Sequence, residues 1–512
     1  MADAVVVEER QEKALPVGWT WTTLGGITDT TRKRVKPQAY PDLRFIGMEH
    51  VEAQTMRLLG SVSAREMRSA AEYFESGDVL YGRLRPVLNK VYCPDFEGLC
   101  SAEFIVFRHV RHLDSRYLQY FLNSWDFVSF ASHLNEGDRP RVNFSQLADY
   151  PFPLAPLAEQ RRIVAEIEAQ FTRLDAGVAA LQRVQRALQR YRAGVLKAAC
   201  EGRLVPQDPG DELAGALLQR ILADRRARWE AGELAKMNAR GKTPKDDTWK
   251  WRYKEPAPPD MAELPAVPEG WVWATLKQLI TRIEAGHSPK AQGRPALIGE
   301  YGVVKVSAMS WGSFLPEENK ALFPGYVPDD SLTIRAGDLL ISRANTIELV
   351  GAVVLVEQDH PNLMLSDKSL RLIPASDEVS SEWLLYVLRA PTVRNFFESV
   401  ATGTSDSMRN LSQEKIRAAP IALPPLSEQH RIIAEVERRL SVVAEVEATV
   451  EANLKRAERL RQSILKRAFE GRLVPQDPND EPAGELLSRV RAERADGNVG
   501  KKKAQQLRLA DM

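Results

Sequence analysis

Residues 156–168 read PLAEQRRIVAEIE, and residues 425–437 read PLSEQHRIIAEVE. A second pair of segments, 201–209 and 470–478, reads EGRLVPQDP in both copies. The two pairs share one offset, since 425 − 156 = 269 and 470 − 201 = 269. Loops accept insertions at little cost. A stretch repeated without gain or loss therefore predicts a rigid element whose length matters for function.

The repeated stretch carries apolar residues at seven-residue intervals, which is typical of coiled-coil helices. About 40 residues rising 1.5 Å each would form a rod of roughly 60 Å. Gln185, Arg192, Glu447 and Arg461 interrupt the apolar series, so ordinary amphipathic helices of a bundle remain the alternative. The spacer and partner-docking positions are Ile167, Leu174, Leu181, Leu188 and Val195 in the first copy, and Val436, Val443, Val450, Leu454 and Ile464 in the second.

The segment in front of each rod is repeated more weakly. LPVGWTWTTL at 15–24 matches VPEGWVWATL at 267–276 with an offset of 271 − 19 = 252, so the second front segment is 269 − 252 = 17 residues longer. The front segments have therefore diverged while the rods have not. Fainter echoes pair 76–86 with 336–346, 116–124 with 382–390, and NFSQ at 143–146 with NLSQ at 410–413.

Each front segment mixes short β-type runs with a few helical stretches, and Gly, Pro and Asp punctuate them. This predicts an α+β protein with two globular domains separated by two long, antiparallel coiled-coil helices in a tandem pseudo-twofold arrangement. The predicted divisions are a first front domain at 1–155, a central helical spacer at 156–210, a helix and Pro/Lys-rich linker at 211–266, a second front domain at 267–424, a distal spacer at 425–478, and a C-terminal helix and tail at 479–512.

Bulk composition excludes several classes of protein. Of 512 residues, 44% are hydrophobic and 27% charged, which is ordinary for a globular chain. No apolar run is long enough for a membrane span, the acidic N-terminus does not resemble a signal peptide, and three cysteines cannot form a disulfide framework. We therefore expect a cytoplasmic protein without membrane contact. The net charge of +1 means that any nucleic-acid contact must come from local patches or from a partner.

Sequence signatures of catalysis fail on inspection. Gly241-Lys242-Thr243 resembles the end of a phosphate-binding loop, but Lys236 stands where that loop requires glycine. Cys93 and Cys100 are seven residues apart, too far for a structural zinc pair, so buried thiols are the better interpretation. The sequence predicts neither a catalytic residue nor a metal ligand.

Basic residues near strand ends and in turns suggest a binding surface instead. Arginine can contact guanine edges with two hydrogen bonds and asparagine can do so with adenine, while lysine and further arginines contact phosphates. Any one of these residues can equally be ordinary solvated charge, but several occupy corresponding places in both copies. The candidates are Arg32, Lys33, Arg34, Lys36, Arg83, Arg85, Arg139 and Arg141 in the first domain, and His287, Lys290, Arg294, Arg343, Asn345 and Arg409 in the second.

The order of these parts resembles the DNA-specificity subunit of type I restriction–modification systems. The resemblance spans nearly the whole chain and rests on the two Pro-Leu-x-Glu-Gln helix starts, the Gly-Trp openings, the GD-L-x-x-R strand segments and the two EGRLVPQDP endings. It implies two target-recognition domains that each read half of a split, asymmetric site on double-stranded DNA. It also implies that the chain is not catalytic by itself.

The resemblance further implies partners and their cofactors. Two adenine methyltransferase subunits, which bind S-adenosylmethionine, would assemble on the chain, and motor-nuclease subunits that use ATP and Mg²⁺ can join them. This chain itself would bind no cofactor. Two other hypotheses stay open at this point: a fused enzyme with a hidden catalytic site, and a coiled-coil scaffold that does not bind DNA.

Overall fold

The structure, a computed structural model, describes residues 14–30, 32–135, 137, 139–242, 244, 246–262, 264–310, 312–405 and 408–492. Of the predicted C-terminal helix and tail at 479–512, residues 493–512 lie outside the described part of the chain. The chain divides into two compact units, and neither is continuous in sequence. Unit 1 comprises Met1–Arg183 and Val450–Met512, and unit 2 comprises Val184–Thr449.

The front domain of unit 1 is α+β. Antiparallel β1 and β10 pair its two ends, a five-stranded sheet has the order β2-β5-β8-β3-β4, and a three-stranded sheet has the order β7-β6-β9. The elements are β1 (Thr20–Thr23), α1 (Leu24–Ile27), β2 (Arg34–Val35), β3 (Arg44–Ile46), β4 (Val62–Ser63), β5 (Ala71–Phe74), β6 (Val79–Gly82), β7 (Val91–Tyr92), β8 (Gly98–Cys100), β9 (Phe104–Phe107), α2 (Ser115–Leu122), α3 (Trp125–His133), α4 (Phe144–Leu147) and β10 (Pro151–Leu154).

Two long helices, α5 (Leu157–Cys200) and α11 (Leu426–Phe469), follow the two front domains and have 44 residues each. The equal lengths agree with the constant offset of 269. At 1.5 Å per residue each helix is about 66 Å long.

The front domain of unit 2 is also α+β. It pairs β11 with β23, and its other sheets have the orders β12-β20-β16-β18, β14-β13-β19-β15 and β17-β22-β21. Its elements are α6 (Ala214–Ala239), β11 (Val272–Thr275), α7 (Leu276–Leu279), β12 (Ile280–Ala285), β13 (Gly302–Val304), β14 (Asn319–Ala321), β15 (Thr333–Ile334), β16 (Leu339–Ser342), β17 (Ala344–Asn345), β18 (Val353–Leu355), β19 (His360–Met364), β20 (Ser369–Pro374), α8 (Ser381–Arg389), α9 (Pro391–Val400), β21 (Thr402–Ser405), β22 (Met408–Asn410), α10 (Gln413–Arg417) and β23 (Pro420–Leu423).

The long helices run antiparallel within each unit. In unit 1 the first turns of α5, including Ile167, share a core with the last turns of α11, including Ile464. In unit 2 the last turns of α5, including Val195, share a core with the first turns of α11, including Val436. The prediction of antiparallel helices is therefore confirmed.

Burial of the ten heptad positions is uneven along the helices. Ile167, Val195, Val436, Val443, Val450 and Ile464 are buried, whereas Leu174, Leu181, Leu188 and Leu454 are only partly buried. Val443 and Val450 are buried although neither belongs to a core that a front domain completes, so burial on these helices is not confined to the turns beside the front domains.

Three of the four polar residues that interrupt the heptads, Arg192, Glu447 and Arg461, have partners in their own unit. Arg192 donates a hydrogen bond to Glu447 over 3.0 Å in unit 2. In unit 1 Arg461 binds Asp175, and its guanidinium carbon lies 4.3 Å from the centre of the Phe171 ring. These polar interruptions therefore pair the two helices.

The segment that follows each long helix packs in the opposite unit from the front domain that precedes it. The chain after α5 contributes α6, and Leu217 and Ile221 of that helix belong to the core of unit 2. The chain after α11 contributes a helix at 483–492, and its Leu486 and Val490 belong to the core of unit 1. A structural unit therefore combines parts of both sequence repeats.

Candidate nucleic-acid interface

Each front domain joins its long helix through the same tryptophan–glutamate contact. Trp19 Nε1 donates to Glu159 Oε2 over 2.9 Å, and Trp271 Nε1 donates to Glu428 Oε2 over 2.9 Å. Both carboxylates are almost completely buried, and burial raises the pKa of each. We call these two contacts, Trp19–Glu159 and Trp271–Glu428, the junctions. They give a structural role to both the Gly-Trp opening and the Glu of the Pro-Leu-x-Glu-Gln motif.

The glutamine of each Pro-Leu-x-Glu-Gln motif secures the start of its helix. Gln160 Nε2 donates to the carbonyl oxygen of Ala155 over 2.8 Å, and Gln429 Nε2 donates to that of Pro424 over 3.0 Å. Both side chains are buried. The amide thus fixes the angle at which the chain leaves the final strand of the domain and enters the helix.

The segments that follow the long helices close each junction. Arg162 donates two hydrogen bonds to Asp480 in unit 1, and Arg431 donates two to Asp211 in unit 2. The pairs correspond, because 431 − 162 = 269 and 480 − 211 = 269. Hydrogen bonds from Arg431 and Ser427 lower the pKa of Asp211.

The glycine of each EGRLVPQDP segment allows a close approach at the same place. Gly202 and Gly471 have φ values of 65° and 66°, where residues other than glycine are strained. A β-carbon would lie 2.4 Å from Pro268 at Gly202 and 2.2 Å from Pro16 at Gly471. The repeated segment therefore fits against the proline that precedes the tryptophan opening.

The 17 extra residues of the second domain enter in three portions. Arg83 and Arg343 make corresponding backbone bonds, each donating its N–H to the segment before the next strand and accepting from a later loop. The paired partners are Glu103 with Lys368 and Val142 with Leu411. The offset thus rises from 252 at the tryptophans to 343 − 83 = 260, then to 368 − 103 = 265, and finally to 411 − 142 = 269.

One predicted correspondence was wrong by two residues. The similarity of NFSQ to NLSQ had aligned Asn143 with Asn410, whereas the structure aligns Asn143 with Ser412. Asn143 caps α4 and Ser412 caps α10, each through its side-chain oxygen, and asparagine and serine are interchangeable in this role. The chance repetition of letters concealed an equivalence of helix caps, and the 269 offset already holds here.

The first domain brings three of its predicted arginines to one cleft. Arg34 on β2 lies opposite Glu72 on β5, and its Nε donates to Glu72 Oε1 over 3.3 Å. Arg32 and Arg83 line the same cleft, which has a volume of about 60 Å³. We call the site formed by Arg32, Arg34, Glu72 and Arg83 the arginine cleft.

Two further predicted arginines, Arg85 and Arg141, lie on two chain segments that contact each other. The backbone N–H of Arg85 donates to Pro140, and Arg141 pairs with Leu84 in an isolated bridge. Arg85 has a φ of 50°, an uncommon conformation for a residue other than glycine. Arg141 makes a two-pronged ion pair with Glu103, with both distances 3.1 Å.

The remaining basic candidates of the first domain are exposed. Lys33 lies over the Tyr73 ring at 4.1 Å from its centre. Lys36 and Arg139 are exposed, and no hydrogen bond or ion pair of their side chains is found within the residues that the structure describes.

The second domain places its candidates in two groups. Arg343, Asn345 and Arg409 form the first, since Asn345 on β17 lies opposite Arg409 on β22 and the carbonyl oxygen of Arg343 accepts from Leu411. Asn345 also donates to Ser310 over 3.2 Å. Backbone pairing thus brings these three candidates together.

The second group surrounds a short aromatic patch. His287 Nε2 hydrogen-bonds the Tyr326 hydroxyl, and Lys290 lies 5.7 Å from the centre of the Phe323 ring. Arg294 binds Glu300 through two hydrogen bonds of 2.6 and 2.8 Å, which lowers the pKa of Glu300 to about 2. A guanidinium already held by a carboxylate has fewer donors for a ligand, so Arg294 and Arg141 are weaker candidates than Arg83 and Arg343.

The sequence alone did not reveal the carboxylates that form ion pairs with some of these arginines and leave the others available. Glu72, Glu103 and Glu300 are the partners of Arg34, Arg141 and Arg294. Only Glu300 is close in sequence to its arginine, six residues away. The other two meet their partners through strand pairing and loop packing, which no short spacing indicates.

Comparison with known proteins now bears on these surfaces. The family model for the type I restriction modification DNA specificity domain matches residues 16–178. The specificity subunit of the type I restriction enzyme EcoEI from Escherichia coli is 26% identical over 507 residues, covering 87% of this chain and 82% of that protein. The EcoKI specificity subunit from Escherichia coli strain K12 is 24% identical and covers 80% of this chain and 77% of its own length.

Residues 16–178 thus match the type I specificity-subunit family, and the chain as a whole is similar to its members. A solved structure described as showing complex assembly and conformational transition of the type I restriction–modification system supports the fold, with a TM-score of 0.58, 23% identity, and coverage of 90% of this chain and all of that one. The predicted family is thus confirmed, and members of this family are named as specificity subunits, not as the catalytic ones. Among the described helices, none combines the length and the apolar character that a membrane crossing needs.

Proposed function

We propose that this chain reads a bipartite, asymmetric site on double-stranded DNA, with one half-site assigned to each front domain. The observation that carries the proposal is the contrast within the repeat. The two junctions use the same tryptophan–glutamate contact, whereas the basic surfaces of the two domains are built from different residues. Two like junctions that carry different basic surfaces suit a protein that holds two different recognition domains in one fixed geometry.

The basic surfaces supply the chemistry that such reading requires. Arg83 and Arg343 occupy corresponding backbone positions, and both have a buried Nε atom with no hydrogen-bond partner among the described residues. Guanidinium groups of this kind suit guanine edges or phosphates. Lys36 and Arg139 are exposed and suit phosphate contacts. The proposed domain boundaries are those predicted from the sequence, with 1–155 and 267–424 as the two recognition domains.

The same proposal covers the partners. We propose that two methyltransferase subunits carrying S-adenosylmethionine assemble on the duplicated helices, and that motor-nuclease subunits using ATP and Mg²⁺ can join them. Similarity to the specificity-subunit family supports DNA and other subunits of the system as partners. The two matching junctions would offer two equivalent surfaces, which favours two copies of one partner.

A domain exchange tests the proposal. The full chain is expressed with its methyltransferase subunit, and methylated positions are mapped across a genome that carries no other adenine methylation. Replacing residues 1–155 with the first domain of another family member should change one half-site and leave the second half-site and the gap unchanged. Absence of any bipartite motif in the parent complex, or a change in both half-sites, would contradict the proposal.

A further inference from the structure

The arginine cleft contains a buried carboxylate whose hydrogen bonding is incomplete. The Glu72 side chain is 8% exposed, and its Oε1 atom accepts from Arg34. Its other oxygen, Oε2, is buried and has no hydrogen-bond partner among the described residues. A buried carboxylate oxygen without a donor is costly in free energy. Such an atom in a cleft indicates a place for a donor that comes from outside the chain.

The same cleft contains a buried donor that is also unsatisfied. Arg83 also lines the cleft, and its Nε atom is buried with no hydrogen-bond partner among the described residues. One cleft is therefore lined by a residue with an unsatisfied acceptor and a residue with an unsatisfied donor. Its volume of about 60 Å³ exceeds the 10–15 Å³ that one water molecule needs, so a small polar edge can enter.

The presence of both an unsatisfied acceptor and an unsatisfied donor in the cleft excludes some ligands. A phosphate would suit Arg83 and Arg34 but would be repelled by the Glu72 carboxylate. A ligand that fits both must present a donor and an acceptor close together. The major-groove edge of a C·G base pair does so, since cytosine presents its N4 amino group and guanine presents O6 and N7.

An A·T pair fits less well. Adenine presents an amino donor beside the N7 acceptor, and thymine presents another acceptor and a methyl group. A carboxylate directed at the adenine amino group would therefore face N7 as well. Among the four base pairs, C·G and its reverse match a carboxylate beside guanidinium groups most fully.

We infer that the arginine cleft reads a C·G base pair in the half-site of the first domain, with Glu72 accepting from cytosine N4 and Arg83 donating to guanine. This inference rests on the proposed function and specifies one of its positions. Arg34 would leave or share its bond with Glu72 when DNA binds, which its 71% exposed side chain allows. The second domain places Arg343 at the backbone position that corresponds to Arg83, and the inference concerns the first half-site.

The test compares Glu72→Gln with the parent in the complete complex with its methyltransferase. Glutamine pairs well with adenine N6 and N7, so the variant should accept adenine where the parent requires cytosine. A wrong base pair costs about 1–3 kcal/mol, and the preference for cytosine over adenine at one position should accordingly fall about ten- to hundred-fold in mapped methylation. The second half-site and the gap should not change.

Glu97→Gln is the matched control. Glu97 accepts a hydrogen bond from the Tyr73 hydroxyl in the same domain, is exposed, and lies outside the cleft. The same chemical change there should leave the motif as in the parent. An equal loss of specificity in both variants would overturn the inference.

A second measurement uses the unaltered complex and so does not depend on how the variant folds. Duplex probes carry the mapped site with each C·G pair of the first half-site replaced in turn by T·A, and separate probes carry 7-deazaguanine in place of guanine. One C·G position should lose affinity about ten- to hundred-fold on replacement. A first half-site without a C·G pair, or a Glu72→Gln complex with an unchanged motif, would overturn the inference while leaving the bipartite site intact. A parent complex without any bipartite motif would instead overturn the proposed function.

Discussion

The two junctions are built alike, whereas the two basic surfaces are built differently. Trp19–Glu159 and Trp271–Glu428 have the same donor, acceptor and distance of 2.9 Å. The arginine cleft of the first domain has Glu72 among its lining residues, while the corresponding Arg343 of the second domain is accompanied by Asn345 and Arg409. A repeated protein can therefore keep its junction contacts constant while the side chains of its basic surfaces vary.

The largest effect should come from shortening the two long helices, α5 and α11, by the same number of residues. Deleting residues 180–186 together with 449–455, at the same offset of 269, removes one heptad from each helix and keeps the antiparallel register. Each helix becomes about 10 Å shorter, which corresponds to about three base pairs along DNA. We predict complete loss of methylation at the original spacing and, in mapped sites, the same half-sites with a shorter gap.

Replacement of the same fourteen residues by two heptads of equal length and unrelated surface sequence is the control for this deletion, and it should retain the original gap. If the deleted chain still methylates sites with the original spacing, the helices do not determine the gap. A deletion of about four residues in α5 alone, between 174 and 195, should disturb the pairing of the two helices as well and lower activity on every spacing.

The repeated helices and the domain class could be predicted from the sequence, whereas contacts between residues far apart in the chain could not. The equal helices, their antiparallel packing and the α+β domains were predictable, because a constant offset and a seven-residue period are local properties of the chain. The packing of each EGRLVPQDP segment against the proline that precedes a tryptophan opening was not, since Gly202 and Gly471 meet their prolines only in three dimensions. The role of Glu72 was equally hidden, because it reaches Arg34 through strand pairing across 38 residues.

The second largest effect should come from removing a junction tryptophan. Trp19→Ala and Trp271→Ala each delete a buried indole and leave a buried carboxylate without its donor, so each should lower the free energy of unfolding by about 3–5 kcal/mol. Urea unfolding measures both variants. If the two junctions are energetically equivalent, the two losses of unfolding free energy should be similar.

Trp125→Ala provides the control for indole removal, because Trp125 is 67% exposed. It should change stability by less than about 1 kcal/mol. A large loss for only one of the two junction variants would show that the similar contacts have unequal energetic weight, and the comparison between the units would then hold for geometry alone.

A smaller effect is expected from the surfaces. Arg83→Ala and Arg343→Ala should each weaken binding of a specific DNA probe by about 1–3 kcal/mol and relax the sequence requirement in one half-site only. Arg141→Ala and Arg294→Ala should cost less, because their guanidinium groups are already held by Glu103 and Glu300. Titration of probes with changed half-sites would measure the effect, and relaxation of both half-sites by one variant would contradict the assignment of one reader to each half.

The smallest effect should come from the charge at the junctions. Burial raises the pKa of Glu159 and Glu428, so the folded state holds a proton more readily than the unfolded state does. The stabilisation that comes with the bound proton is complete below the ordinary glutamate pKa of about 4.3, and it is lost as the pH rises through the raised value. Glutamine resembles the protonated acid and keeps an oxygen that can accept from the tryptophan.

Glu159→Gln and Glu428→Gln should therefore remove this pH dependence. Relative to the parent, each variant should gain stability as the pH rises from about 4.3 to neutrality, by less than the tryptophan variants lose, and unfolding measured across that range would detect it. The change should be larger for Glu428, because Glu159 Oε1 also accepts from Gln476 over 3.3 Å, whereas Glu428 Oε1 is buried with no hydrogen-bond partner among the described residues. If one profile stays parallel to that of the parent, ionisation of that carboxylate does not differ between the folded and unfolded states, and the junctions are alike in contact but not in electrostatics.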